Sequence, residues 1–143
     1  MMAALFAADR LEHLTNAQTG VLRYLKNDTQ VICDRYYLST YAYQSVAVDL
    51  DWTMALNKQA ALMAKPDVHI FLDIAVDTAL ARIARNREHM DIYETKERLE
   101  ETRTRYLEVI EKLKDTENIV IINAEQSPEE IARDIWESVK YLF

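Results

Sequence analysis

The chain has 143 residues, half of them apolar, which is enough for a core at the size of one domain. With 24 acidic against 17 basic residues its net charge is -7, a poor match for electrostatic capture of nucleic acid or an anionic membrane. A single cysteine, Cys33, excludes an internal disulfide framework or a Cys-rich zinc site, and no apolar run approaches the length of a membrane span. The opening MMAALFAA has no basic start and meets Asp9 early, unlike a signal peptide, so the expected setting is the reducing cytoplasm. The only glycine is Gly20, followed by Val21. GxGxxG needs three glycines and GxxxxGK[ST] needs two, so these residues form no glycine-rich phosphate cradle.

In chain order, residues 1 to about 26 are expected to be helical, with few β-branched residues before Val21. Ala4, Ala7, Leu11 and Leu14 recur at helical spacing as a core stripe, while Phe6, Arg10 and His13 form a second, aromatic and basic stripe. Asn27-Asp28 marks a turn. Val31-Ile32-Cys33 reads as a short buried strand ending at Asp34-Arg35, with Cys33 as a small core residue. A helix is expected over Ser39–Ser45 with Ser39 as N-cap, and another over Asp51–Ala64, ended by Lys65-Pro66. Val68–Leu72 is a second strand ending at Asp73, and Asp77 can cap a helix from Thr78 to about Asn86. Arg87–Tyr93 reads as a loop. Glu94–Lys114 is a long helix with Leu99, Tyr106, Ile110 and Leu113 on one side. Ile119–Ile122 is a third strand, and Ser127-Pro128-Glu129-Glu130 has the spacing of a capping box that opens a last helix carried by Ile131, Ile135, Val139 and Leu142. Alternating strands and helices predict a parallel α/β sheet covered on both faces, with ligands beyond the carboxyl ends of its strands. Asp34-Arg35 and Asp73 fall at those ends.

Three groups have residue types suited to chemistry. Arg35 at a strand end can grip a phosphate with two N–H groups while Asp34 orients it or meets a Mg²⁺-bound water; the plainer reading is a strand-end ion pair. Phe6 offers a face to a nucleobase, with Arg10 one turn on; the plainer reading is a core ring beside a snorkelling arginine. Arg82, Arg85 and Arg87 can surround a transferring phosphoryl group, or merely complement a helix C-terminus. No Ser-His-Asp or Cys-His set can be assembled, and His13, His69 and His89 lack metal-ligand spacing.

Taken together these pieces resemble the thymidylate kinase family. LFAADRLEHL at 5–14 is similar to the helix lining that family's thymidylate pocket. VICDRYYLSTYAYQS at 31–45, the most specific stretch, resembles the strand and loop that follow it. KPDVHIFLDIAVDTALARI at 65–83 resembles the strand and helix entering the lid, and ETRTRYLEVI and IVIINAEQSPEEI resemble the remaining third. The resemblance implies an α/β fold of the P-loop nucleoside monophosphate kinase type over 1–143 as a single domain. It would have three parallel strands, a lid at about 82–94, and no counterpart of the family's first two strands and Walker A loop. It further implies the reaction ATP + dTMP → ADP + dTDP with Mg²⁺, in dTTP biosynthesis, by a homodimer or with a second chain supplying the N-terminal part.

By residue, the resemblance implies that Phe6 stacks on thymine and Arg10 donates to thymine or to the acceptor phosphate. Asp34 and Arg35 would serve that phosphate and the metal region. Ser39 and Thr40 would lie against the base, and Tyr43 and Gln44 near sugar and base. Arg85 and Arg87 would be lid arginines, with Arg82 a weaker candidate. The loop Asn123, Ala124, Glu125, Gln126 would pass the adenine. One departure is Ile92 in Asp91-Ile92-Tyr93-Glu94, where family lids often carry arginine. The alternative is a non-catalytic thymidylate-binding remnant or one half of a split kinase; a related deoxynucleoside or nucleotide kinase is a third reading.

Overall fold

The computed structural model describes residues 2–86 and 95–143. Arg87, the expected loop around it, Ile92 and Glu94 lie outside the described residues. Two compact units are present, Met1–Pro66 and Asp67–Phe143. No helix among the described residues is long and apolar enough to cross a membrane.

The first unit is helical: α1 Met2–Thr15, α2 Val21–Leu25, α3 Tyr37–Gln44 and α4 Leu50–Met63. The single helix expected to residue 26 is thus broken in two. Asn16 causes the break, because its side-chain Oδ1 accepts from the backbone N–H groups of Gln18 and Thr19 at 2.9 and 3.0 Å and competes with the helix ladder. Gly20 then returns close to the end of α1. A Cβ there would stand 2.4 Å from the Asn16 carbonyl oxygen and 2.8 Å from that of Leu14, so close approach, not an unusual φ, demands the glycine. Along α1 the buried residues are Ala3, Ala7 and Leu14, while Ala4 is exposed. Small Ala3 and Ala7 fit a close packing of α1 on α4.

α3 begins two residues earlier than expected. Its N-cap is Tyr36, without a side-chain cap bond, and Ser39 is buried inside the helix. Burial explains the shift, since Tyr37, Leu38, Tyr41 and Ala42 all enter the core and Tyr37 sits 4.7 Å from the Tyr36 ring and 5.4 Å from that of Tyr41. α4 is capped by Asp49, whose carboxylate accepts from the Trp52 N–H at 2.9 Å.

Val31–Cys33 is a correction. It forms no strand, Ile32 is 95% exposed, and Cys33 is exposed and not in a core. A buried parallel strand needs neighbours for its N–H and C=O groups, and no described strand pairs with this segment. Asp34-Arg35 therefore sits in a bend after a stretch without regular secondary structure, with Arg35 at φ 64.

The second unit holds β1 His69–Asp73, α5 Val76–Asn86, α6 Lys96–Leu113, β2 Ile119–Asn123 and α7 Pro128–Val139, followed by a 3₁₀ turn Lys140–Leu142. The described sheet has two strands, not three. β1 and β2 run parallel, from His69 opposite Ile119 to Asp73 opposite Asn123. Sheet cover is incomplete: Leu72 is 46% and Ile121 50% exposed, and the register puts them on opposite faces, against the expected burial of both. The buried apolar residues are Val109, Ile110 and Leu113 of α6, Ile122 and Ala124, and Phe71 stacks on Tyr106 at 4.9 Å to hold β1 to α6. α7 opens with the full capping box, Ser127 and Glu130 bonding each other's backbone N–H. Asp77 lies within the first turn of α5 and pairs with Lys96 at 2.7 Å.

Candidate functional site

In the first unit the aromatic and basic stripe of α1 stands over a set of polar supports. Arg10 Nη1 donates to Asn57 Oδ1, and Nη2 donates to Thr40 Oγ1 at 2.8 Å. Its guanidinium carbon also lies 5.3 Å from the centre of the Tyr36 ring. Asn57 is fully buried on α4 and donates its Nδ2 to the Thr53 carbonyl at 2.9 Å. α3 and α4 thus reach one α1 arginine from two sides, and all its partners are neutral. Burial lowers the Arg10 pKa from its ordinary value; the neighbouring phenols of Tyr36 and Tyr41 oppose that shift. The Tyr36 hydroxyl donates to the Ala60 carbonyl at 3.2 Å, and burial pushes its pKa up to about 12, so it stays protonated.

Phe6, one turn before Arg10, is 43% exposed and has not turned into the core. Arg35 is exposed, with its guanidinium carbon 5.1 Å from the Tyr43 ring centre. Its left-handed backbone is unfavourable for any L-residue with a Cβ by roughly 1–2 kcal/mol, the kind of strain that collects at functional positions. The Cys33 thiol donates to the Arg35 carbonyl at 3.2 Å, and burial pushes its pKa up, which leaves it a weak nucleophile. Asp34 is exposed, Ser39 and Thr40 are buried on α3, Tyr43 is exposed and Gln44 half-buried at its end. His13 is exposed. The structure therefore gathers Phe6, Arg10 and Thr40 through direct contacts or helical adjacency, and Arg35 with Tyr43. Sequence reasoning missed Asn57 and Tyr36 as supports of Arg10. The available signal was an asparagine four residues after Thr53, one turn apart on one face of the helix expected over Asp51–Ala64.

The second unit gathers a different set at the carboxyl ends of its strands. Asp73, ending β1, takes a two-pronged bond from Arg103 of α6, Nε to Oδ1 at 2.7 Å and Nη2 to Oδ2 at 2.9 Å. That arginine holds the Asp73 carboxyl below the usual carboxylate range. Beyond β2, the Ala124 N–H donates to the Asp73 carbonyl and the Glu125 N–H to Asn123 Oδ1. Gln126 Nε2 donates to the Asn123 carbonyl and to Asp134. Arg82 is turned onto this loop, donating to the carbonyls of Ala124 at 2.8 Å, Gln126 at 3.1 Å and Glu125 at 3.3 Å. Arg85 is exposed on α5 and has no hydrogen-bond or ion-pair partner among the described residues. No three His, Cys, Asp or Glu side chains come together as a metal-ion site among the described residues.

Comparison with known proteins bears on both sets. A family model described as thymidylate kinase matches residues 1–135. A probable thymidylate kinase of Methanococcus aeolicus is 33% identical over 138 residues, covering 94% of this chain and 66% of the relative. A probable thymidylate kinase of Sulfolobus acidocaldarius is 37% identical over 143 residues, with 99% of this chain and 67% of the relative covered. The thymidylate kinase of Rhodopseudomonas palustris is 37% identical over 146 residues, covering 96% and 60%. The chain spans about two thirds or less of the length of these relatives. Two units of this composition, with a parallel strand pair and a match along nearly their whole length, mean that the chain belongs to the thymidylate kinase family.

Proposed function

We propose that these residues form the acceptor-binding and lid portion of a kinase that makes dTDP from dTMP and ATP, in the cytoplasm and towards dTTP synthesis. The two units would act as one domain, either in a homodimer or with a second chain. The observation that carries the reading is Arg10, a charged arginine held by neutral groups of two helices beside an uncovered phenyl ring. Phe6 gives the thymine ring a flat face, and Arg10 donates to its carbonyl or to the 5′-phosphate. Arg35 takes the phosphate, with Asp34 as the carboxylate on its metal-facing side. Ser39 and Thr40 line the base. Tyr43 and Gln44 bound the sugar, where the Tyr43 ring disfavours a 2′-hydroxyl.

The terminal phosphoryl group passes from ATP to a phosphate oxygen of dTMP; the bond to the β-phosphate oxygen breaks and ADP leaves. Little covalent chemistry falls to the protein, so positioning and charge decide the rate. Arg85 and Arg87 are assigned to the charge of the moving group, and Asn123, Ala124 and Gln126 to the adenine. No three carboxylate, His or Cys side chains gather around Asp34 among the described residues, so Mg²⁺ would come on the ATP phosphates and draw charge from them, with Asp34 meeting one of its bound waters. The phosphates themselves call for a backbone cradle and lysine that a sequence with one glycine does not contain. The second reading is a chain that binds thymidylate without turning it over or works beside a partner.

Calorimetric titration with dTMP and thymidine, followed by a dTDP assay with MgATP, tests the proposal. Binding of dTMP in preference to thymidine is expected, with turnover appearing only when a Walker A segment is added in cis or in trans. No dTMP binding would overturn the acceptor site. Binding without turnover in the completed protein would select the second reading, and turnover by these residues alone would refute the need for the cradle.

A further inference from the structure

The loop after β2 is held to α5 from both directions. Arg82 of α5 sends its guanidinium to three successive carbonyls of the loop, those of Ala124, Glu125 and Gln126. Glu125 returns its carboxylate to the start of the same helix, Oε1 accepting from the Ala75 N–H at 2.6 Å and Oε2 from the Thr78 hydroxyl at 2.8 Å. Thr78 and Arg82 are one turn apart on α5, so the two attachments lie on one helix face. A guanidinium suits this task, because its donors are fixed in one plane and can meet several oxygens at once. The carboxylate suits its own end, because a helix start presents unpaired N–H groups and positive potential. Consistent with that placement, the Ala75 N–H and then the Thr78 hydroxyl hold the Glu125 carboxyl below its ordinary range. Ala124, between these attachments, is buried at 4% exposure, while Glu125 and Asn123 are exposed.

We infer that Arg82 and Glu125 are positioning residues: a reciprocal clamp that fixes the loop Asn123–Gln126 on α5, so that it meets the nucleotide base pre-formed. The inference rests on the assignment of that loop to adenine. It gives Arg82 a task different from that of a lid arginine, since its donors are spent on carbonyl oxygens and not on a phosphate.

The test uses the full chain and Arg82→Ala, Arg82→Lys and Glu125→Gln, with hydrogen exchange of loop amides and NMR titration with ADP at millimolar concentration. Arg82→Ala removes all three bonds to the loop and is expected to speed exchange at Glu125 and Gln126 and to weaken ADP about tenfold, since the loosened loop must be ordered on binding. Arg82→Lys restores part of the affinity, because an ammonium reaches fewer carbonyls. Glu125→Gln keeps an oxygen for Ala75 and has a smaller effect. Affinity for dTMP stays within twofold in all three. Should the wild-type loop amides fail to respond to ADP, the adenine assignment falls and the positioning role with it. Should they respond while Arg82→Ala and Arg82→Lys both bind ADP as the wild type does, the clamp has no role in positioning and the inference alone is overturned.

Discussion

Asn57→Ala removes the support of Arg10 without touching any surface offered to a ligand. Two bonds are lost. Asn57 Oδ1 accepts from a charged Nη1, a kind of bond whose loss costs about 1.5–3 kcal/mol. Its Nδ2 donates to the Thr53 carbonyl, which already serves the helix ladder, so that loss is nearer ~0.5 kcal/mol. Alanine returns roughly 0.5 kcal/mol of helix propensity. The first unit should therefore lose about 2 kcal/mol. Trp52 belongs to this unit and Trp136 to the other, so urea unfolding followed by fluorescence in a Trp136→Phe background reads the first unit alone. A double-mutant cycle with Arg10→Met isolates the pair, with an expected coupling of about 1.5–3 kcal/mol. Affinity for dTMP should fall as well, although Asn57 is fully buried. A coupling near zero would refute the anchoring, and unchanged dTMP affinity despite strong coupling would show that a fixed Arg10 is not what the acceptor site needs.

Phe6→Ala should weaken dTMP by about 1–3 kcal/mol in calorimetry through lost stacking, and an unchanged affinity would make Phe6 a bystander. Arg35→Gly should lower affinity for dTMP by about 1.5–3 kcal/mol while sparing thymidine. Relief of its left-handed backbone offsets the lost contact with Tyr43, so unfolding of the first unit should move by no more than ~0.5 kcal/mol; equal losses for nucleotide and nucleoside would contradict the phosphate role. Asp73→Asn breaks the bond from Arg103 and should cost the second unit about 1 kcal/mol near neutral pH, discounted for a pair that is partly exposed. Because the Asp73 carboxyl is held low in the folded state, its contribution is complete above the ordinary carboxylate range. It fades as pH drops below about 4 and through the lower folded value, so the gap between variant and wild type should close there. A gap that persisted in acid would point to packing instead of charge.

What the sequence made legible follows from how local the cause is. The capping box at Ser127, the helix stop before Pro66, the strand ending at Asp73 and the strand starting at Ile119 depend on near neighbours, and each appears where local chemistry puts it. Val31–Cys33 had the composition of a strand, yet pairing is decided by a partner distant in sequence, and no described strand provides one. The break at Asn16 was legible in principle, since an asparagine four residues before the only glycine can cap and turn the chain. In the site, the stripe of Phe6 and Arg10 separated cleanly from the core because helical period alone sorts faces. The partners of those residues did not, because Asn57 and Thr40 meet Arg10 only through the packing of α1, α3 and α4. Arg82 was assigned by its proximity to Arg85 and Arg87, whereas its direction is set by a loop more than forty residues away.

Positive charge is treated in two ways. In the second unit Arg103, Lys96 and Arg105 each meet a carboxylate, at 2.7, 2.7 and 2.8 Å, while Arg82 turns its donors onto backbone carbonyls. In the first, Arg10 and Arg35 make their direct contacts to an amide, a hydroxyl and two phenol rings, and the Asp9 carboxylate acts on Arg10 only as a weak, more distant charge. Acidic residues outnumber basic ones 24 to 17, so a carboxylate neighbour was statistically easy to find. An arginine already paired must give up that pair before it can take a phosphate, and the exchange yields little net energy. An arginine held only by neutral groups keeps its full charge and is fixed in direction at the same time. Burial makes its unneutralised charge costly, as the lowered pKa of Arg10 records, and an incoming anion removes that cost. On this argument a carboxylate at position 57 is the informative reversal. Asn57→Asp would neutralise Arg10 in place, at the cost of setting a carboxylate oxygen against the Thr53 carbonyl, and in calorimetric titration should weaken dTMP more than thymidine; equal weakening of the two would refute the argument.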